Sequence, residues 1–192
     1  MRMLALLAVL LAPVPALAQA PAPAQGATRP DPRRADIEKL LDAMKVAPNE
    51  QAAGMIEARL REAWLRAGAP VAALLLNKGT RNMRSSADEE ALDDFDAALV
   101  IDPDYMEAYN RRAMARSTLG DYRGALADIQ EVLRREPRHF GALQTLSRIA
   151  EERGDFRGAV LALEKALELA PHLPGGQDRA KALRLRALGE ES

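Results

Sequence analysis

The chain has no cysteine. That absence excludes disulfides, thiolate metal sites, cysteine nucleophiles and a lipid-anchored amino-terminal cysteine. Aromatic residues make up only 4% of 192 residues, while hydrophobic residues reach 48%. A core must therefore be built from alanine, leucine and other small aliphatics. Such a core suits closely spaced helices better than sandwiches or barrels, whose strands favour β-branched and aromatic side chains. No segment alternates convincingly as a strand. An excess of positive charge is also missing: the formal net charge is −1, which gives no footprint for a phosphate backbone and argues against nucleic-acid binding. The two histidines, His139 and His172, read as junction and surface residues rather than a metal site. The glycine-rich, phosphate-loop, GxSxG and HExxH patterns of common catalytic sites do not occur. The length leaves room for one compact domain.

What is present begins with a positive start at Arg2, the short apolar run MLALLAVLLA, and the small-x-small site Ala16-Leu17-Ala18. Residues 1–18 read as a cleavable secretory signal peptide. The run is about half of the roughly twenty residues that span a bilayer, and Pro13 and Pro15 interrupt it, so no stable membrane insertion is expected after cleavage. The expected location is outside the cytoplasm, the periplasm in a Gram-negative cell. Residues 19–34, QAPAPAQGATRPDPRR, offer almost nothing to bury and read as a disordered Pro/Ala-rich linker. From Ala35, the spacing of Ile37, Leu40, Leu41 and Met44 predicts a helix. Pro48-Asn49 ends it, with Asn49 as cap for a second helix running to Gly68. Pro70 stands 33 residues before Pro103, so residues 35–69 read as a degenerate helix pair capping the amino-terminal end. Trp64, the only tryptophan, is expected to be buried between the first two helix pairs.

A thirty-four-residue period governs the rest. The segments ALDDFDAALVIDP (91–103), ALADIQEVLRREP (125–137) and AVLALEKALELAP (159–171) align column by column. Ala91, Ala125 and Ala159 form one column, and Phe95, Ile129 and Leu163 another. Leu99, Leu133 and Leu167 form a third, and Pro103, Pro137 and Pro171 close each segment. Ser86-Ala87-Asp88-Glu89 and Asp104 with Glu107 read as capping boxes, and Gly120-Asp121 and Gly154-Asp155 as tight turns with an aspartate cap. The final stretch from Pro174, with alternating charges, reads as a solvating terminal helix.

This period, with its small, bulky and proline columns, resembles the tetratricopeptide repeat family. Three recognisable copies cover residues 70–103, 104–137 and 138–171, followed by a capping helix and tail over 172–192. Leu75, Tyr109 and Leu143 match the large residue of the first helices, and Gly79, Ala113 and Ser147 the small one. Lys78 and Arg112 stand where an apolar residue is usual, and Asn82 and Arg116 replace the usual tyrosine, departures expected to weaken packing. The run EPRHFGAL (136–143) is also similar to small exported repeat proteins of alphaproteobacteria. The resemblance implies an all-α solenoid of antiparallel helix pairs, wound as a right-handed superhelix with a terminal capping helix. Its first helices would line a concave groove for a protein or peptide partner. On the helical face that would look into it stand Leu76, Thr80 and Met83, then Asn110, Met114 and Ser117, then Gln144, Arg148 and Glu151, with Arg111 at the border. Amides suit an extended peptide backbone, methionine adapts to varied side chains, and Arg148 suits a carboxylate. An ordinary solvated helix face is the competing reading of the same residues.

The acids Asp88, Glu89, Glu90, Asp93, Asp94 and Asp96 crowd one helix and read as a solvated face, favourable near its amino-terminal end. Catalysis by carboxylates needs two groups in different environments, which this run does not offer. No enzyme activity and no cofactor are expected. Two functions remain: an exported adaptor or assembly factor that holds a partner in its groove, and a self-assembling envelope protein whose repeats stack between molecules.

Overall fold

A computed structural model describes residues 32–189. The expected signal peptide, and the linker up to residue 31, lie outside the described residues. Nine helices and no strands are found among the described residues: α1 (Pro32–Lys45), α2 (Glu50–Ala67), α3 (Pro70–Arg84), α4 (Asp88–Ile101), α5 (Met106–Thr118), α6 (Tyr122–Arg135), α7 (Phe140–Glu152), α8 (Phe156–Leu169) and α9 (Gly176–Gly189). The first helix thus takes in Pro32, Arg33 and Arg34, which the sequence pattern places in the linker. None of the described helices is long and apolar enough to cross a membrane.

Helices α3/α4, α5/α6 and α7/α8 are the three repeats, each an antiparallel pair. The sequence columns are the packing columns. Ala91, Ala125 and Ala159 are fully buried, and Phe95, Ile129 and Leu163 are the bulky residues sealed behind them. Small residues on the first helix of each pair admit that bulk. At Gly79 a Cβ would lie 2.6 Å from the Phe95 ring, so the first repeat has room for nothing larger. The second helices stop alike because a residue before proline is driven out of the helical region. Asp102 (φ −136, ψ 88), Glu136 (φ −137, ψ 90) and Ala170 (φ −139, ψ 76) adopt nearly one conformation, one repeat apart.

The helix starts follow two rules. Asn49, Asp121 and Asp155 cap α2, α6 and α8 by accepting the backbone N–H three residues on, at 2.9, 2.9 and 2.8 Å. Gly120 and Gly154 take the positive φ of the preceding turns. The two expected capping boxes do not form. Ser86 sits at φ 60 and leaves Ala87 as the N-cap of α4 with no side-chain bond, while the N-cap of α5 is Tyr105 rather than Asp104. Asp104 is drawn instead to Arg135 of the next helix pair, 3.2 Å away.

The expected weak points of the repeats are matched pairs. Lys78 and Asn82 of α3 both donate to Asp94 of α4, at 2.6 and 2.8 Å. One repeat on, Arg112 makes a two-pronged contact with Asp128 at 2.9 and 2.6 Å, and Arg116 adds a third bond at 2.8 Å. Burial works against the Arg112 charge, but its bonds to Asp128 and Asp96 outweigh this and raise its pKa. In the third repeat the same three positions are Leu146, Ala150 and Ala162, an apolar set. Asp94 is consequently buried, not part of the solvated acidic face.

The largest departure concerns α1 and α2. They do not extend the stack ahead of α3. Their apolar residues Ile37, Leu41, Met44, Leu60 and Trp64 share one core cluster with Phe140, Leu143, Leu167, Leu173 and Leu183 of α7, α8, the α8–α9 junction and α9. Arg138 fastens α1 to the start of α7 by pairing with Glu38 and, at 2.9 Å, with Asp42. Along α2, Gly54 lies near Pro174, Trp64 stacks on His139, and Leu65 accepts the Tyr105 hydroxyl at 2.6 Å. Ala69 then donates to Asp102 at 2.8 Å. The helix therefore visits the repeat junctions in reverse chain order. Its eighteen residues, about 27 Å at 1.5 Å each, strap the array along one rim. The physical line it follows is a column of junction residues, Tyr105, His139 and Leu173, thirty-four apart and all buried.

Candidate functional site

Helices α3, α5 and α7 present their inner faces to a cavity of about 480 Å³, and α2 supplies its side wall. Two columns line it completely: Thr80, Met114 and Arg148, and Asn77, Arg111 and Thr145. Of the residues expected from sequence, the structure brings Thr80, Asn110, Arg111, Met114, Gln144 and Arg148 together around this space. The other four lie elsewhere. Leu76 is fully buried against the α3–α4 core, and Met83 packs half-buried on the same cluster. Ser117 is buried and donates to Glu152, while Glu151 pairs with Arg179 at 3.2 Å and Arg186 at 2.7 Å on α9. In α3 the groove face keeps Asn77 and Thr80 in register, gives up the Leu76 position to the core and gains Arg84.

Several lining groups are already committed. Asn110 accepts from Thr145 at 3.0 Å and donates to Glu107 at 3.4 Å, so its amide serves the contact between α5 and α7. Arg111 donates to Glu107 at 2.8 Å. Arg148 has no hydrogen-bond or ion-pair partner among the described residues and reaches the groove surface. Crowding by protein on one side desolvates its guanidinium and lowers its pKa. Glu152 opposes that shift, and Arg179 and Arg111 add to it. Arg61, Arg84, Arg111, Arg148 and Arg179 face only two lining carboxylates, Glu57 and Glu107. The groove is locally positive in a molecule of net charge −1.

The sequence pattern missed the α2 wall, namely Glu57, Arg61, Trp64 and Leu65, together with Arg179 of α9 and His139. His139 is not a surface residue: it is 1% exposed, and its Nδ1 caps α7 by accepting the Ala142 N–H at 3.0 Å. Its ring lies flat on Trp64, with centroids 3.9 Å apart and planes 14° apart, while Phe140 tilts against the same indole. Trp64 is thus buried as expected, but between α2 and α7 rather than between the first two pairs. His172 is exposed.

Comparison with known proteins agrees with this architecture. A tetratricopeptide repeat family model matches residues 107–139 and 140–173. A TPR repeat-containing protein of Rhizobium etli is 34% identical over 113 residues, 59% of this chain and 55% of that protein. The chain thus spans little more than half the length of that curated relative. Among solved structures, the Sgt2 TPR domain from Aspergillus fumigatus superposes with a TM-score of 0.57 at 24% identity, covering 65% of this chain and 82% of that one. The first TPR of Spaghetti (RPAP3), solved bound to an HSP90 peptide, gives 0.56 at 20% identity, over 64% and 94% of the two chains. The helix pairs of residues 70–171 thus have the tetratricopeptide repeat architecture, and residues 107–173 match that family in sequence.

Proposed function

We propose that the protein is an exported, non-catalytic adaptor that holds a peptide or a segment of a partner protein between α2 and the inner faces of α3, α5 and α7. The observation that carries this reading is the groove's charge: five guanidiniums converge on one 480 Å³ space, and that of Arg148 is left without a partner among the described residues. A guanidinium in such a place binds a carboxylate in two-pronged fashion. Met114 beside it offers adaptable apolar contact. The Spaghetti domain, which shares this fold, was solved with the peptide SRMEEVD, an acidic segment. His139, the one imidazole on the groove, is spent as a helix cap and a stacking partner, which supports a site that binds without turnover. Export rests on the apolar run and small-x-small site of residues 1–18, and a periplasmic location follows in a Gram-negative cell.

The test is affinity capture by the mature chain from its own cell envelope, side by side with Arg148→Glu. A dominant partner that the variant loses supports the adaptor. Identical recovery by both proteins contradicts it. Self-assembly, the competing reading, draws on exposed Val71 and Leu74 near one end of the array and Leu185 and Leu188 at the other. Light scattering that shows a concentration-independent monomer removes it.

A further inference from the structure

His139 joins three things that rarely meet in one side chain. It is the amino-terminal cap of α7, it is the platform on which the α2 strap rests through Trp64, and it is a titratable group sealed from solvent. Because Nδ1 accepts the Ala142 N–H, the ring's single proton sits on Nε2. That nitrogen makes no hydrogen bond and lies 3.7 Å from Glu107, and the indole N–H of Trp64 stacked above is likewise unpartnered. A second proton has only Nδ1 to go to. Its arrival removes the acceptor that caps α7 and places a cation on the positive end of that helix's dipole.

The surrounding charges do little to accommodate it. Helix α5 presents Glu107 and Arg111, and Glu107 is already held by Arg111 at 2.8 Å. Helix α2 presents the uncharged Trp64, with Glu57 and Arg61 farther along the same wall, and α9 contributes Arg179 across the cavity. Within its own segment, Arg138 is turned towards α1. Burial pushes the His139 pKa below its usual 6.5, with Glu107 opposing and Arg111 assisting. The closed form is therefore undiminished above pH 6.5 and loses stability as the pH falls from 6.5 towards the lowered folded value.

We propose that His139 is an acid-sensitive keystone whose protonation releases the α2 strap from α7 and opens one rim of the groove. The three repeats, whose packing columns do not involve His139, keep their helices when it goes. The release concerns the wall alone and is tested without any partner, so its failure leaves the adaptor reading standing.

Trp64, the sole tryptophan, reports on the stack directly. Acrylamide quenching of its fluorescence in the full chain, followed from pH 7.5 to 4.5 beside far-ultraviolet circular dichroism, measures the release. The expected result is a severalfold rise in quenching with its midpoint below 6.5 and little change in helix signal. NMR titration of the His139 ring should show the same midpoint. His139→Asn keeps a cap acceptor without a titrating group, and its quenching should stay flat across that interval. The variant retains Glu38, Asp42 and Arg138, so carboxylate titration at the α1 contact is controlled. Flat quenching in the natural chain overturns the proposal. So does a transition that persists in His139→Asn, or exposure of Trp64 in step with loss of helix. If the variant does not fold, the coincidence of ring titration and Trp64 exposure decides: separate midpoints overturn the proposal.

Discussion

Residues 70–171 and the hairpin ahead of them bury their side chains in different ways. Inside the repeats each helix packs chiefly on its neighbours in sequence, through columns spaced by thirty-four residues. The hairpin α1–α2 instead packs on helices far along the chain: Arg138 reaches Asp42 and Glu38 across separations of 96 and 100 residues. Local contacts of the first kind are cheap in loop entropy, whereas the hairpin's contacts close a long loop. The comparison teaches that a solenoid's groove can gain a wall from its own leading segment. Two buried polar nitrogens at that wall have no hydrogen-bond partner, and such a contact opens at lower cost than a fully bonded core.

The largest expected effect comes from removing the anchor of the strap. Trp64→Ala should cost about 3–5 kcal/mol at the α2–α7 contact. Hydrogen exchange should then accelerate in α1 and α2 while α4 and α6 stay protected. Uniform acceleration through α3–α8 would dissolve the distinction between wall and array.

Next comes the charged interior of the second repeat. Asp128→Ala takes the two-pronged partner from Arg112, leaving it Asp96, and the 2.8 Å bond from Arg116, and should lower stability by about 3 kcal/mol in urea unfolding. Giving that repeat the apolar set of the third, with Arg112→Leu, Arg116→Ala and Asp128→Ala together, should recover most of the loss. If the triple variant is no better than the single one, the two interiors are not interchangeable. A smaller effect is expected at the α2 cap, where Asn49→Ala should cost about 1 kcal/mol, again read as faster exchange confined to the hairpin. Smallest of all is the exposed latch. Asp42→Ala should change thermal stability by less than about 1 kcal/mol, with the difference fading in high salt.

These contrasts also explain what the sequence displays and what it hides. The alanine, bulky and proline columns are legible because a repeated packing problem has a repeated answer. The pairing of Lys78 with Asp94 and Arg112 with Asp128 recurs at one spacing, sixteen residues, and was there to be read. Each basic residue departs from an apolar consensus, and the departure becomes a matched pair once the acid sixteen residues on is set against it. The strap was not legible. Pro70 sits one residue off the repeat beat, so α1–α2 imitates another repeat, and no local pattern says that Trp64 meets His139. Of the ten groove candidates, Leu76 shows why a face cannot be carried rigidly from repeat to repeat: it is a core residue where its counterparts Asn110 and Gln144 line the groove.

The course of α2 along the repeat junctions is the claim on which the wall, the groove and the keystone all depend. The absence of native cysteine makes it directly measurable. A Cβ at Gly54 would lie 3.6 Å from Pro174 Cγ, so side chains at the two positions are in contact. The doubly substituted chain, Gly54→Cys with Pro174→Cys, should form an intramolecular disulfide on mild oxidation, seen as a mass loss of two hydrogens with the chain still monomeric. Free thiols, or disulfides only between molecules, would mean that α2 does not cross the array and would contradict the account.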